Sequence, residues 1–238
     1  MSRPTVILLP GLHGTANLFQ RFVDAAPRDV SPRIQSLPND APLDYEQLAE
    51  WVVARLPSEA VVLIAESFSG PLALFAAARA PNIAGIVLCG TFVTAPAPPI
   101  LAKLPKVVFA VTPPVAAISA LLTAGDWTLA REVQTTVRTI PADVITSRVV
   151  SALHVDARAE LESFTKPLLC ISAKRDWIVP ARSTAVIRAL KPSAEFVEID
   201  GPHMLLQTRS RETWQVVSAF LDRVQGNHHA PHNLTSST

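Results

Sequence analysis

Charge is scarce in this chain. Asp, Glu, Lys and Arg make up 17% of 238 residues, and 21 basic against 20 acidic side chains leave a formal net charge of +1. That balance offers neither a basic stripe for nucleic acid nor a basic face for an anionic membrane. Cysteine is equally rare. Cys89 and Cys170 each sit inside an apolar run, IVLCG and LLCIS, and read as small hydrophobes in buried strands; so few argue against a disulfide framework. No stretch approaches the ~20 apolar residues needed to span a bilayer. The opening run TVILLP is too short for a signal-peptide core. Internal repeats are missing too. These absences lead to the expectation of a soluble, cytoplasmic protein, and 49% hydrophobic residues supply the core of one domain.

What is present is an alternation of short β-branched runs with longer helical patterns. Strands are expected at Thr5–Leu9, Val61–Ala65, Gly85–Cys89, Pro167–Ser172 and Ala194–Ile199, with Arg33–Leu37 a weaker sixth. Unbroken Val/Ile/Leu runs mark strands buried on both faces, hence a mostly parallel sheet covered by helices, an α/β fold. Asp44–Leu56 places Leu48, Trp51, Val52 and Leu56 on one helical face, and Asp44-x-x-Gln47 has the form of a capping box. Ser67–Ala80 is apolar nearly all round, as for a helix under the centre of a sheet, and Arg209–Val224 reads as a closing amphipathic helix. Between Thr94 and about Ala157 no strand is evident. Six prolines from Pro96 to Pro114 open this segment, and PVAAISALLTA and PADVITSRVVSAL follow with helical character. The expected organisation is therefore a core of residues 1–93 and 158–225, a helical lid at 94–157 whose Phe109, Leu121, Leu122 and Trp127 line a pocket, and a disordered tail at 226–238. The tail's His228, His229 and His232 read as part of that tail rather than as a metal site.

In VVLIAESFSGPLALFAAARAP a serine, Ser67, stands where a buried strand gives way to a buried helix. A serine hydroxyl attacks a carbonyl only with a base to take its proton, a group to orient that base, and donors for the oxyanion. A tight strand-to-helix turn lifts the hydroxyl clear of the backbone and aims helix N-terminal N–H groups at the developing charge. Small residues are needed two positions to either side; here they are Ala65 and Ser69, followed by Gly70, in place of the glycines of G-x-S-x-G. Ser69 is a rival, but its side chain should point into helix packing. An acid and then a histidine should follow in chain order. Asp176 lies just past a strand in PLLCISAKRDWIVP, and His203 just past another in EFVEIDGPHMLLQ. His154 falls on a helix in the insertion and reads as a surface residue, and Asp200 ends a strand and points elsewhere. One oxyanion donor should be the N–H of Phe68. The other should come from the loop LPGLHG, where Gly11 and Gly14 permit a bend; it is assigned to Leu12.

These pieces, LLPGLHGT, AESFSG, AKRDWIVP and GPHMLLQ, resemble the α/β-hydrolase superfamily from Thr5 to Val224. The resemblance implies Ser67 as nucleophile, Asp176 as acid, His203 as base, Leu12 and Phe68 as oxyanion hole, and His13 at the pocket rim, touching substrate or shaping the loop; Trp127, from the lid, is the other expected substrate contact. It departs from the family's habit in starting straight into the strand, with no antiparallel hairpin, so a compact version with about six strands is expected. In alignment Pro10-Gly11 takes the place of the family's usual His-Gly; His13-Gly14 is offset by three residues. The expected function is a carboxylesterase-type serine hydrolase acting on small, uncharged esters through an acyl-enzyme, without metal or organic cofactor, as a monomer or homodimer. A lactonase, thioesterase, C–C hydrolase or aminopeptidase-like relative would use the same three residues, and a non-catalytic small-ligand receptor would use the same fold.

Overall fold

The computed structural model describes residues 3–105, 108–109 and 111–227. The apolar runs form six strands, all parallel: β1 (Thr5–Leu9), β2 (Arg33–Ile34), β3 (Val61–Glu66), β4 (Ile83–Cys89), β5 (Leu168–Arg175) and β6 (Glu195–Pro202), in the order β2-β1-β3-β4-β5-β6. This is the α/β-hydrolase-type sheet that the sequence leads one to expect. The lone sixth run shrinks to two residues, while β5 and β6 run past their expected ends and remain paired as far as Arg175 and Pro202.

The strands alternate their side chains between two cores, which explains why they read as unbroken apolar runs. Ile7, Leu9, Leu63, Ala65, Ile86, Leu88, Leu168 and Cys170 face α2 (Tyr45–Val53), α3 (Ser69–Ala77), α7 (Arg158–Ser163) and α8 (Ala181–Leu190). Val6, Leu8, Val62, Ile64, Val87, Cys89, Leu169 and Ile171 face α1 (Gln20–Asp24) and α10 (Ser210–Asn227), which contribute Phe22, Trp214, Phe220 and Val224, together with Phe19 at the N-cap of α1. Each such aliphatic side chain taken from water contributes about 1.5–3 kcal/mol. Both cysteines are free and buried in adjacent strands.

Helix boundaries follow local chemistry. Asp44 caps α2 by accepting from the Gln47 N–H at 2.9 Å, while the Gln47 side chain accepts from the Asp44 N–H at 3.1 Å, the reciprocal pair expected of this spacing. The expected helix from Ser67 begins two residues late, at Ser69, because Ser67 has φ of +50°, which no α-helix tolerates. The closing helix α10 extends to Asn227, so residues 226 and 227, expected in the tail, are helical; residues 228–238 lie outside the described residues.

Between β4 and β5 the described chain is helical: a 3-10 turn (Pro99–Lys103), then α4 (Val115–Leu121), α5 (Trp127–Arg138) and α6 (Ala142–His154). An antiparallel bridge from Thr94 to Asp156, and the Ala157 N–H on the Val93 carbonyl at 2.8 Å, bring its two ends together. Prolines stand at the N-caps of α4 and α6, where a missing N–H costs nothing. Helix α4 and α5 pack Ile118, Leu129, Ala130 and Val133 on Leu18 and Met204, and the Met204 N–H donates to the Leu122 carbonyl at 3.2 Å. A short α9 (Leu205–Thr208) follows Met204.

Candidate active site

Strand order and register assemble the site before any side chain is considered. The chain leaves β1 outward to β2 and returns to β3 on the other side of β1, so a crevice opens between the loops that follow β1 and β3. The register pairs Leu9 with Ala65, Glu66 with Cys89, and Arg175 with Pro202. The residues that come next on these strands are therefore neighbours: the Pro10–Gly14 loop beside Ser67, Ser67 beside Gly90, and Asp176 beside His203.

Ser67 Oγ lies 3.0 Å from His203 Nε2, and His203 Nδ1 lies 2.8 Å from Asp176 Oδ2. Three residues separated by as many as 136 positions form one hydrogen-bonded chain. Both the His203 and Asp176 side chains are buried. Ser67 is different: it is the one residue from Val61 to Ala76 that is not buried. Its positive φ is the reason, because the sharp turn pushes its side chain out of the packed strand–helix unit.

The turn is held from every side. The Ser67 N–H donates to the Cys89 carbonyl at 2.9 Å, and its own carbonyl accepts from the Gly70 N–H at 3.1 Å and from the Thr91 hydroxyl. Gly70 has no room for a side chain, since a Cβ there would stand 2.1 Å from Thr91 Oγ1. Ser69, the rival serine, is fully buried and donates its hydroxyl to the Pro10 carbonyl; it ties α3 to the glycine loop and does not join Ser67. Phe68 stacks on Tyr45 with ring centroids 4.6 Å apart, and the buried Tyr45 hydroxyl donates to the Phe68 carbonyl at 2.9 Å. The main chain directly after Ser67 is fixed in consequence.

The other two site residues are fixed by loop backbone. Asp176 Oδ1 accepts from the Ile178 and Val179 N–H groups, both at 2.8 Å, which turns Oδ2 toward His203. Gly90, at φ of +53°, passes close behind; a Cβ there would lie 3.3 Å from the His203 carbonyl and 3.7 Å from Asp176 Oδ2. Asp200 is exposed and pairs with Arg175, and His154 is exposed on α6, as expected of both.

His13 departs from its expected place at the rim. It is buried, its Nδ1 within 3.2 Å of the Thr15 hydroxyl and N–H, and its Nε2 lies 4.0 Å from Glu66 Oε2. The reason is that the loop after β1 folds back on itself through the Gly14 N–H to the Gly11 carbonyl, which turns position 13 inward. Burial, aided by the field of Arg148, pulls its imidazole down to about 3, so it is neutral and not a proton carrier at pH 7. Trp127, also expected to touch substrate, is the first residue of α5, is 51% exposed, and does not join the serine–histidine–aspartate chain. Leu121 is exposed as well, whereas Leu122 packs against the Ile118–Met204 cluster.

Two residues escaped the sequence reading. Glu66, within the motif itself, is a buried carboxyl pushed up by desolvation and opposed by the Gln207 amide, His203 and the Gly11 N–H. Arg148, on α6, is 1% exposed and donates to the Leu12 carbonyl at 2.9 Å and the Pro38 carbonyl at 2.8 Å. A lone charge inside the apolar run VITSRVVSAL was the available signal. Among the described residues no group of three or more His, Cys, Asp or Glu side chains is placed to hold a metal ion, and no helix is long and apolar enough to cross a membrane.

The arrangement matches known proteins in fold. A hydrolase from Pseudomonas aeruginosa PA01 superposes with a TM-score of 0.79 at 16% identity, covering 92% of this chain and 90% of that one. A thermophilic esterase from Thermogutta terrifontis gives 0.77 at 16%, covering 93% and 90%. The enol-lactonase from Burkholderia xenovorans LB400 gives 0.74 at 19%, covering 92% of each. No curated protein matches the sequence. A family model described as the alpha/beta hydrolase fold matches residues 31–209, three quarters of the chain, from β2 through the histidine loop. The chain belongs to the α/β-hydrolase family.

Proposed function

We propose that this hydrolase cleaves carboxylic esters of small to medium acyl chain through an acyl-enzyme on Ser67. The observation that carries the reading is the unbroken chain from Ser67 Oγ to His203 Nε2 at 3.0 Å and from His203 Nδ1 to Asp176 at 2.8 Å. His203 takes the hydroxyl proton as Oγ attacks the carbonyl carbon, and Asp176 holds the ring with Nδ1 protonated and steadies the imidazolium. The N–H groups of Leu12 and Phe68 receive the oxyanion, each lowering the barrier by about 3 kcal/mol. His203 then gives its proton to the leaving alcohol, and a water, deprotonated by the same nitrogen, releases the acid. No metal or organic cofactor takes part. The apolar cluster of Leu18, Ile118, Leu129 and Met204, the last of which directly follows His203 in the chain, supports an uncharged acyl group.

The test is hydrolysis of p-nitrophenyl esters of short chains by the wild type and by folded Ser67→Ala, with fluorophosphonate labelling followed by peptide mapping. Label on Ser67 and loss of at least about a thousandfold in turnover are expected. Equal rates in the two proteins remove Ser67 from the reaction. A lactone and a thioester in the same panel separate the acyl donors that one serine, one histidine and one aspartate can all process.

A further inference from the structure

The loop that follows β1 is gripped along its whole length. Five consecutive carbonyls have donors: Pro10 from the Ser69 hydroxyl, Gly11 from the Gly14 N–H at 3.0 Å, Leu12 from Arg148 Nη1 at 2.9 Å, His13 from Asn39 Nδ2 at 3.4 Å, and Gly14 from the Leu37 N–H at 2.7 Å. In a trans peptide the C=O and N–H of one plane point in opposite directions. The bond that fixes the Gly11 carbonyl therefore aims the Leu12 N–H the other way, and the bond from Arg148 fixes the next plane. Together they set both peptide planes at Leu12.

Four of these donors come from the hydrolase core. Arg148 alone comes from the helical segment between β4 and β5, reaching across from α6. It is among the largest fully buried side chains of the protein, yet among the described residues no carboxylate lies within ion-pair distance. Its second amino group spans to the Pro38 carbonyl at 2.8 Å, so one planar fork joins the loop after β1 to the loop after β2. Gly14, at φ of +67°, makes the space: a Cβ there would stand 2.5 Å from Arg148 Nη1. Burying a cation without a counter-ion is costly, and an apolar residue of similar volume would pack the same place at less expense. A bare packing role does not account for the guanidinium.

We propose that Arg148 is a positioning residue by which the helical insertion sets the oxyanion-binding loop. Through it the insertion completes the active site. This rests on the serine-hydrolase reading above, with Leu12 as an oxyanion donor. Lysine keeps the charge but offers no planar fork, so it can serve one carbonyl and not both.

The test compares wild type, Arg148→Lys and Arg148→Ala by kcat and KM on a p-nitrophenyl ester, and by the rate at which a fluorophosphonate labels Ser67. A displaced oxyanion donor should cost about a hundredfold in kcat for Arg148→Ala and roughly tenfold for Arg148→Lys, with KM changed by no more than about threefold. Methylguanidinium at millimolar concentration should restore kcat about tenfold in Arg148→Ala by refilling the vacated site. If Arg148→Ala does not fold, the kcat–KM split of Arg148→Lys decides. Wild-type kcat in either folded variant overturns the proposal, and so does a loss that tracks only the folded fraction and is not rescued. Failure of the wild type to label at Ser67 overturns the serine-hydrolase reading itself, and this proposal with it.

Discussion

Asp176 divides its carboxylate between two tasks: one oxygen accepts two loop N–H groups at 2.8 Å, and the other meets His203 Nδ1 at the same distance. The division predicts what asparagine would do there. Its carbonyl oxygen keeps the two N–H bonds, which forces its amide nitrogen to face His203. The ring must then accept at Nδ1 and carry its proton on Nε2, where it cannot take one from Ser67. Asp176→Asn should fold with wild-type stability and lose about 10⁴-fold in kcat. Steady-state kinetics on a p-nitrophenyl ester checks this, and a loss smaller than tenfold would show that the tautomer does not limit the reaction.

Gly70 and Thr91 form a second informative pair. An alanine in the first turn of α3 should help by up to about 1 kcal/mol on helix propensity alone. Here the added methyl meets the Thr91 side chain at 2.1–2.8 Å, the same threonine that holds the Ser67 carbonyl. Packing wins over propensity, so Gly70→Ala should destabilise the protein by about 1–3 kcal/mol and lower kcat as the turn shifts. Urea denaturation of the single variant and of Gly70→Ala with Thr91→Ser measures it; the smaller serine should recover part of the loss. A stabilised Gly70→Ala would refute the close approach.

His13 links the site to acid stability. Its imidazole is held down to about 3 in the native state, first by burial and then by Arg148, against an ordinary value near 6.5. Between these values the unfolded chain binds a proton that the native protein refuses, so stability must fall as pH drops from 6.5 toward 3. The raised Glu66 carboxyl acts with the opposite sign: the native state holds its proton to higher pH than the unfolded chain does, and that contribution is lost as pH rises. Folding free energies at pH 7, 6, 5 and 4 should show a shallower decline for His13→Gln than for wild type. Parallel declines would mean that the ring takes its proton in the folded protein.

How far the sequence reaches depends on the kind of residue. The apolar runs located all six strands, most firmly β1, β3, β4 and the first half of β5, because a strand buried on both faces leaves no alternation to misread, and Asp44 with Gln47 marked the start of α2 through purely local hydrogen bonds. Ser67, Asp176 and His203 could be singled out because each stands just past a strand, where an open parallel sheet gathers its functional groups. His13 and Trp127 could not be placed. Whether a loop histidine turns inward, or a helix's first residue faces solvent, is settled by neighbours remote in the chain.

Local chemistry, then, determined which segments become strands and helices and which side chains have the reactivity a hydrolase needs, since periodicity and capping act over a few residues. The tertiary structure decided the distances. Register at Arg175 and Pro202 brought Asp176 to His203, and a fully buried arginine from a distant helix came to hold the loop beside Ser67. These contacts span 27 and 136 residues, and only the closed packing of the sheet and its helices fixes them.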